Sequence, residues 1–309
     1  MNHNKKIGLV LGGGGARGWA HIGVIKAIQE AHIPIHCIAG TSMGAMVGGA
    51  FACGTLDLLE KVAVDLDWPH ALNYFLEFTL PRSGLIDGAK IVKFVRQHIT
   101  CTNIEDTHIP LHVVTTNIQT GQEVVISQGD MIDAIRASIA IPGILTPVVM
   151  GDQVLVDGGL VNPVPVSVAK AMGADFVIAV DINRGLINNT ATSGEHTAIT
   201  APDINPKRKE TGKHKITDHI NEMISHADLQ SLKPVRRWIS RRTTPNIFDI
   251  MGNTISIIET ELSVMLLEKD PPDILIKPQA GQINFMEFHR AQEAIDAGYE
   301  AAHLQLANI

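Results

Sequence analysis

From Lys6 to about Asp181, short apolar runs ending in glycine alternate with stretches whose apolar positions recur every three or four residues. The runs have the length of buried strands and the stretches have the period of helices. Lys6–Leu11 reads as a strand that leads through Gly12-Gly13-Gly14-Gly15-Ala16-Arg17-Gly18 into a helix from about Trp19 to Ala31. Ile35, Cys37 and Ile38 then approach Gly40-Thr41-Ser42-Met43-Gly44, and small or apolar residues follow to Ala50. That pattern predicts a strand, a sharp turn and a helix, with a serine at the apex. Leu56–Leu66 and Asp87–Ile99 are helical, the second with Asp87 as N-cap. Trp68-Pro69-His70 and Tyr74–Phe78 concentrate aromatic residues, either as packing beneath the sheet or as a substrate-facing cap.

Leu111–Thr116 and Glu123–Ile126 form a hairpin around Gln119-Thr120-Gly121-Gln122, and Val148–Met150 with Gln153–Val156 form another, turning at Gly151-Asp152. Asp130–Ile139 is a helix stopped before Pro142, and Asp175–Asp181 is a buried strand. Ile255–Leu267 is an apolar-rich helix, Asp273–Ile276 a short strand and Phe285–Leu306 a terminal amphipathic helix. Strands alternating with helices imply an α/β layered fold with a mainly parallel central sheet. Asn183 to Lys215 breaks the composition, being polar with Pro202, Pro206 and the basic cluster Lys207, Arg208, Lys209, Lys213 and Lys215. The expected division is a core over 1–182, an insertion with helices over 183–272, and a strand and helix over 273–309 that pack back on the core.

Composition narrows the class. The 309 residues are 45% apolar and 18% charged, which fits a globular enzyme and excludes wholesale disorder. A net charge of -7 argues against a general nucleic-acid binder. Cys37, Cys53 and Cys101 lack metal-ligand spacing; Cys37 and Cys53, in apolar segments, read as buried free thiols of a reducing compartment. The chain shows no signal peptide, and no run reaches the roughly 18–20 apolar residues of a membrane span, so the expected location is cytoplasmic. Arg236, Arg237, Arg241 and Arg242 surround Trp238, and with Lys207–Lys215 they read either as a solvated face or as peripheral contact with an anionic membrane.

The chemistry gathers at three glycine-rich turns. Ser42 sits in a G-x-S-x-G nucleophile elbow, where a tight turn exposes the hydroxyl. The Gly13-Gly14-Gly15 amides are candidate oxyanion donors, although a glycine loop after a first strand also suits a dinucleotide. The acidic residue that a dinucleotide fold requires near the end of the second strand is missing; Cys37-Ile38-Ala39-Gly40 stands there. Asp157 lies at a strand end before Gly158-Gly159 and can serve as the base; its alternative is a turn aspartate. His21 reads as helix packing rather than as a base.

Gly13-Gly14-Gly15-Ala16-Arg17-Gly18, Gly40-Thr41-Ser42-Met43-Gly44 and Asp157-Gly158-Gly159, in that order, resemble the patatin-like phospholipases. Arg136–Pro142 and Asp157–Pro165 extend the resemblance, which is to the bacterial branch related to neuropathy target esterase. It covers about Lys6 to Asp181 and, more thinly, Asp273 to Ala302. The resemblance implies a three-layer patatin-like α/β fold and acyl hydrolysis of phospholipids, lysophospholipids or simpler esters, with no metal or other cofactor. It implies Ser42 as nucleophile and Asp157 as base in a dyad without histidine. Gly13, Gly14, Gly15 and the Ala16 and Arg17 amides become the oxyanion hole, with the Arg17 side chain bracing the loop. Two alternatives stand beside it. One is a Ser–His–acid triad drawing on His196, His214, His219, His226, His289 or His303; the other is a non-catalytic nucleotide- or lipid-binding regulator.

Overall fold

The apolar runs that end at Gly12, Gly40 and Gly151 are strands of one sheet. The structure, a computed structural model, describes residues 5–66, 84–86, 88–183 and 247–307. Its strands are β1 (Ile7–Leu11), β2 (Cys37–Thr41), β3 (Gly84–Ile86), β4 (Leu111–Asn117), β5 (Gln122–Ile126), β6 (Gly143–Leu145), β7 (Val148–Met150), β8 (Gln153–Asp157), β9 (Phe176–Val180) and β10 (Ile274–Ile276). The main sheet has eight strands in the order β10-β9-β1-β2-β4-β8-β7, with β5 also paired to β4. β10, β9, β1, β2 and β4 run parallel, whereas the β4–β5, β4–β8 and β7–β8 pairs are antiparallel. Both expected hairpins are present. β3 and β6 form a separate parallel pair.

The helices are α1 (Ala20–Glu30), α2 (Met43–Ala52), α3 (Leu56–Val64), α4 (Ala89–His98), α5 (Met131–Ser138), α6 (Val166–Ala171), α7 (Ile247–Lys269) and α8 (Ala291–Leu306). Alternate residues of a strand point to opposite faces, and the core divides accordingly. Leu9, Leu11, Ile38, Ile178 and Val180 pack with α1, α2 and α8 on one face. Val10, Ala39, Val177 and Ala179 pack on the other with Val166, Val168 and Ala169 of α6 and Leu267 of α7. Helices on both faces of a mostly parallel sheet make the layered fold that the alternation predicts.

The described residues fall in one compact unit, Met1–Thr190 with Ile247–Ile309. α7, expected inside the insertion, therefore belongs to the unit that holds the sheet, because its buried face packs beside the turn after β8. Ile250–Lys269, mean hydropathy 1.3, meets the length and composition of a span only marginally, so among the described residues no segment is clearly membrane-spanning, as expected. In this stretch Ser256, Glu259, Thr260 and Ser263 are buried in the fold. Cys53 is not a free thiol but is bonded to Cys101, 48 residues along the chain, with Cα atoms 5.7 Å apart. Sequence spacing cannot reveal such a pairing; Cys37 is free and buried as expected. The aromatic groups Trp68–His70 and Tyr74–Phe78, Asp87, the basic groups Lys207–Lys215 and Arg236–Arg242, and His196, His214, His219 and His226 lie outside the described residues.

Candidate active site

Ser42 stands between β2 and α2 with φ 54° and ψ -123°, a conformation sparsely populated by residues with a side chain. The surroundings enforce it. The Ser42 amide donates to Ser138 Oγ at 2.8 Å, and Ser138 Oγ donates to Val114 O at 2.6 Å. Thr41 Oγ1 donates to Asn162 O at 2.8 Å, fixing the last residue of the strand. The turn needs a bare α carbon at Gly44, where a methyl group would collide with the Leu11 carbonyl at the end of β1.

β4 sets the second member of the pair. Its Val114 lies opposite Thr41 of β2, and its next residue, Thr115, lies opposite Asp157 of β8. The serine and the aspartate thus meet at the carboxyl edge of the parallel strands, where open α/β sheets place their sites. Ser42 Oγ donates to Asp157 Oδ2 at 2.6 Å, and the Gly159 amide donates to Asp157 Oδ1 at 2.8 Å. Thr116 Oγ1 holds the Asp157 carbonyl at 2.8 Å. Burial raises the Asp157 pKa to about 6, against the hydrogen bonds from Ser42 and Gly159, which lower it. A carboxylate raised in this way is a stronger base than one in water.

The glycine loop follows β1, adjacent to β2 in the sheet, so Gly13 comes close to Ser42. Not every loop amide can serve an oxyanion. Gly13 N–H donates to Pro163 O at 2.9 Å and Ala16 N–H to Phe285 O at 2.9 Å, so the expectation that these two amides are donors is corrected. Gly14 and Gly15 keep φ values of 154° and 59°, and their amides have no such partner among the described residues. Arg17, 1% exposed, braces the loop: its Nε donates to Ile283 O at 2.9 Å and its Nη1 to Asn183 Oδ1 at 3.0 Å. Gly18 lies against Met43 of α2, Gly40 against Ala45, and Gly158 against Val114, so the remaining motif glycines are close-packing positions around the same turn.

His21 is wholly buried, its Nε2 2.7 Å from Gly12 O, and burial lowers its pKa to about 4. It is a neutral packing residue, as expected. An apolar cavity opens between Ser42 and Gly15, lined by Trp19, Met46, Phe94, Ile139 and Phe288 among others. Three contributors escaped the sequence reading: Ser138, Asn183 and Glu259. Ser138 lies within the Arg136–Pro142 stretch but showed no signal of its own. Asn183 stood at the start of the presumed insertion. Glu259 had a readable sign, since Ser256, Glu259, Thr260 and Ser263 recur at helical spacing and make a polar stripe on an otherwise apolar helix.

Residues 9–170 match the family described as patatin-like phospholipase, whose α/β fold this sheet and its flanking helices share. An uncharacterized NTE family protein of Mycobacterium tuberculosis is 32% identical over 96% of this chain and 89% of its own length. The lysophospholipase NTE1 of Mycosarcoma maydis is 40% identical over 60% of this chain and 10% of its own, and the neuropathy target esterase sws of Drosophila melanogaster is 35% identical over 58% and 13%. The chain belongs to the patatin-like phospholipase family, in the part of it related to neuropathy target esterase.

Proposed function

We propose that the protein is a serine acyl hydrolase that cleaves the ester bonds of phospholipids, lysophospholipids or related lipids through Ser42 and Asp157. Family membership supports lipid ester hydrolysis in general. The observation that carries the dyad is the 2.6 Å hydrogen bond from Ser42 Oγ to Asp157 Oδ2 at a strained turn.

Asp157 takes the hydroxyl proton as Oγ attacks the ester carbonyl. The carbonyl oxygen gains negative charge, stabilised by the Gly14 and Gly15 amides. Collapse of the intermediate expels the alcohol, which receives the proton from Asp157, and leaves an acyl ester on Ser42. Asp157 then deprotonates a water that attacks this ester; the proton returns to Ser42, and the fatty acid leaves. The apolar cavity beside Ser42 suits the acyl chain, since burying each methylene contributes about 0.8 kcal/mol.

A histidine triad would require an imidazole at Ser42 Oγ, and among the described residues that place belongs to Asp157. The test is hydrolysis of p-nitrophenyl esters and a lysophospholipid panel by the wild type and Ser42→Ala. Loss of activity with an unchanged melting transition supports the reading. A well-folded Ser42→Ala protein with wild-type activity contradicts it.

A further inference from the structure

The dyad uses one buried carboxyl, and the fold buries a second beside it. Glu259, in the middle of α7, is 2% exposed. Its Oε2 accepts from Asn183 Nδ2 at 3.0 Å, and the same nitrogen donates to Gly13 O at 3.0 Å. Asn183 Oδ1 in turn accepts from Arg17 Nη1, which also reaches Ser256 Oγ at 3.3 Å, one turn before Glu259. One asparagine thus ties the oxyanion loop to the glutamate.

The other oxygen, Oε1, is on the side of the dyad. A methyl group placed on Gly159 would collide with Glu259 Oε1 and sit 3.2 Å from Asp157 Oδ1. One placed on Gly13 would sit 3.6 Å from Oε1 and 3.4 Å from Ser42 Cβ. The two carboxyls therefore flank the space that Gly13 and Gly159 leave open beside Ser42. The helix is inverted to achieve this: its buried face carries Ser256, Glu259, Thr260 and Ser263, while Ile250, Ile257, Ile258 and Met265 are exposed. Burying a polar stripe while exposing isoleucine works against folding unless the polar groups find partners.

We propose that Glu259 is a positioning residue of the hydrolytic site: through Asn183 it holds the oxyanion loop, and its carboxyl controls the charge beside Asp157 on which activity at alkaline pH depends. The inference rests on the Ser42–Asp157 reading and deepens it. Two carboxyls sharing one buried space do not ionise together at ordinary pH. Burial and the neighbouring Asp157 raise the Glu259 pKa to about 8; Asp181 adds to the rise, while Asn183 and Arg17 oppose it. The charged groups facing it are thus Asp157 from β8, Asp181 after β9 and Arg17 from the glycine loop; the stripe on its own helix adds none. Arg17, lowered by burial to about 10, keeps its charge while Glu259 titrates. At neutral pH the pair carries one negative charge, on the base. When Glu259 ionises, a second negative charge stands where the oxyanion must form, and hydrolysis slows.

The test is the pH dependence of kcat and KM for a short p-nitrophenyl ester, on wild type, Glu259→Gln and Glu259→Ala, with melting transitions recorded. Wild-type kcat should fall reversibly above Glu259's ionisation, about tenfold one unit beyond it. Glu259→Gln keeps the shape and the contact to Asn183; it should work at pH 7 within about threefold of wild type, with the same acid limb but no alkaline fall. Glu259→Ala releases Asn183 and should lower kcat by on the order of tenfold or more with KM little changed. An alkaline limb in Glu259→Gln identical to that of wild type would overturn the proposal. Should the variants not fold, the wild type alone decides: a fluorophosphonate labelling rate that stays level from pH 7 to 9.5 overturns it, and a reversible fall supports it. The dyad reading fails separately, when Ser42→Ala retains activity.

Discussion

Ser42 holds a backbone conformation that costs on the order of 1–3 kcal/mol, and its neighbours supply the hydrogen bonds that keep it there. Asp157 carries a second cost, because its charged form is buried. The folded pKa, about 6, lies above the ordinary carboxyl range, so between the two the native state holds a proton that the unfolded chain has released. Stability therefore falls as pH rises through that window, by on the order of 3 kcal/mol for this group. Asp157→Asn removes the effect: relative to wild type, its melting temperature should be higher at pH 8 than at pH 5. Equal differences at both pH values would refute this. The proposed donor role of the loop amides can be tested at Gly14, where a β carbon would lie 2.7 Å from Asn183 Oδ1 and the φ of 154° disfavours a side chain. Gly14→Val should lower kcat by on the order of 10²–10³. A change in KM alone would instead place the loop in ground-state binding.

β4 works as a ruler that sets Ser42 and Asp157 opposite each other, while α1 and α8 pack on each other, with α8 against the turn Gly15–Trp19 that ends the glycine loop. The two helices cross at glycines: a methyl group on Gly23 would strike Ile295 O, and one on Gly298 would strike Ala20 O. Gly298→Val should therefore destabilise the fold by more than about 3 kcal/mol, measured by urea unfolding; a loss under about 1 kcal/mol would show that the crossing tolerates a side chain. The strands of the main sheet, both hairpins and the elbow were legible because each has a local signature, a run of apolar residues closed by glycine or a turn; the short strands β3 and β6 and the six-residue α6 carry none and went unread. The capping of α5 shows the same, with Asp130 Oδ1 accepting from the Ile132 and Asp133 amides. What stayed hidden depends on distant partners. Nothing near Gly13 or Ala16 indicates that their amides are taken by Pro163 and Phe285. Nothing near Asn183 indicates that it bridges Gly13 and Glu259, since the connection exists only once α7 has docked.

The whole molecule brings together Ser42 after β2, Asp157 at the end of β8, the glycine loop after β1 and Glu259 of α7, all at one edge of the sheet. Groups that act as one unit should not add in their loss, so Ser42→Ala with Asp157→Asn should be no slower than either single variant. A double variant slower than both would mean that the two residues act independently. If Asp157 activates Ser42, the rate and site of fluorophosphonate labelling report it, read by peptide mass on folded wild-type and Asp157→Asn protein. The adduct should form on Ser42 in the wild type and at least about 10² times more slowly in the variant, the lower end of a general base's contribution. Labelling of the folded variant at the wild-type rate, or an adduct on another residue, would contradict it.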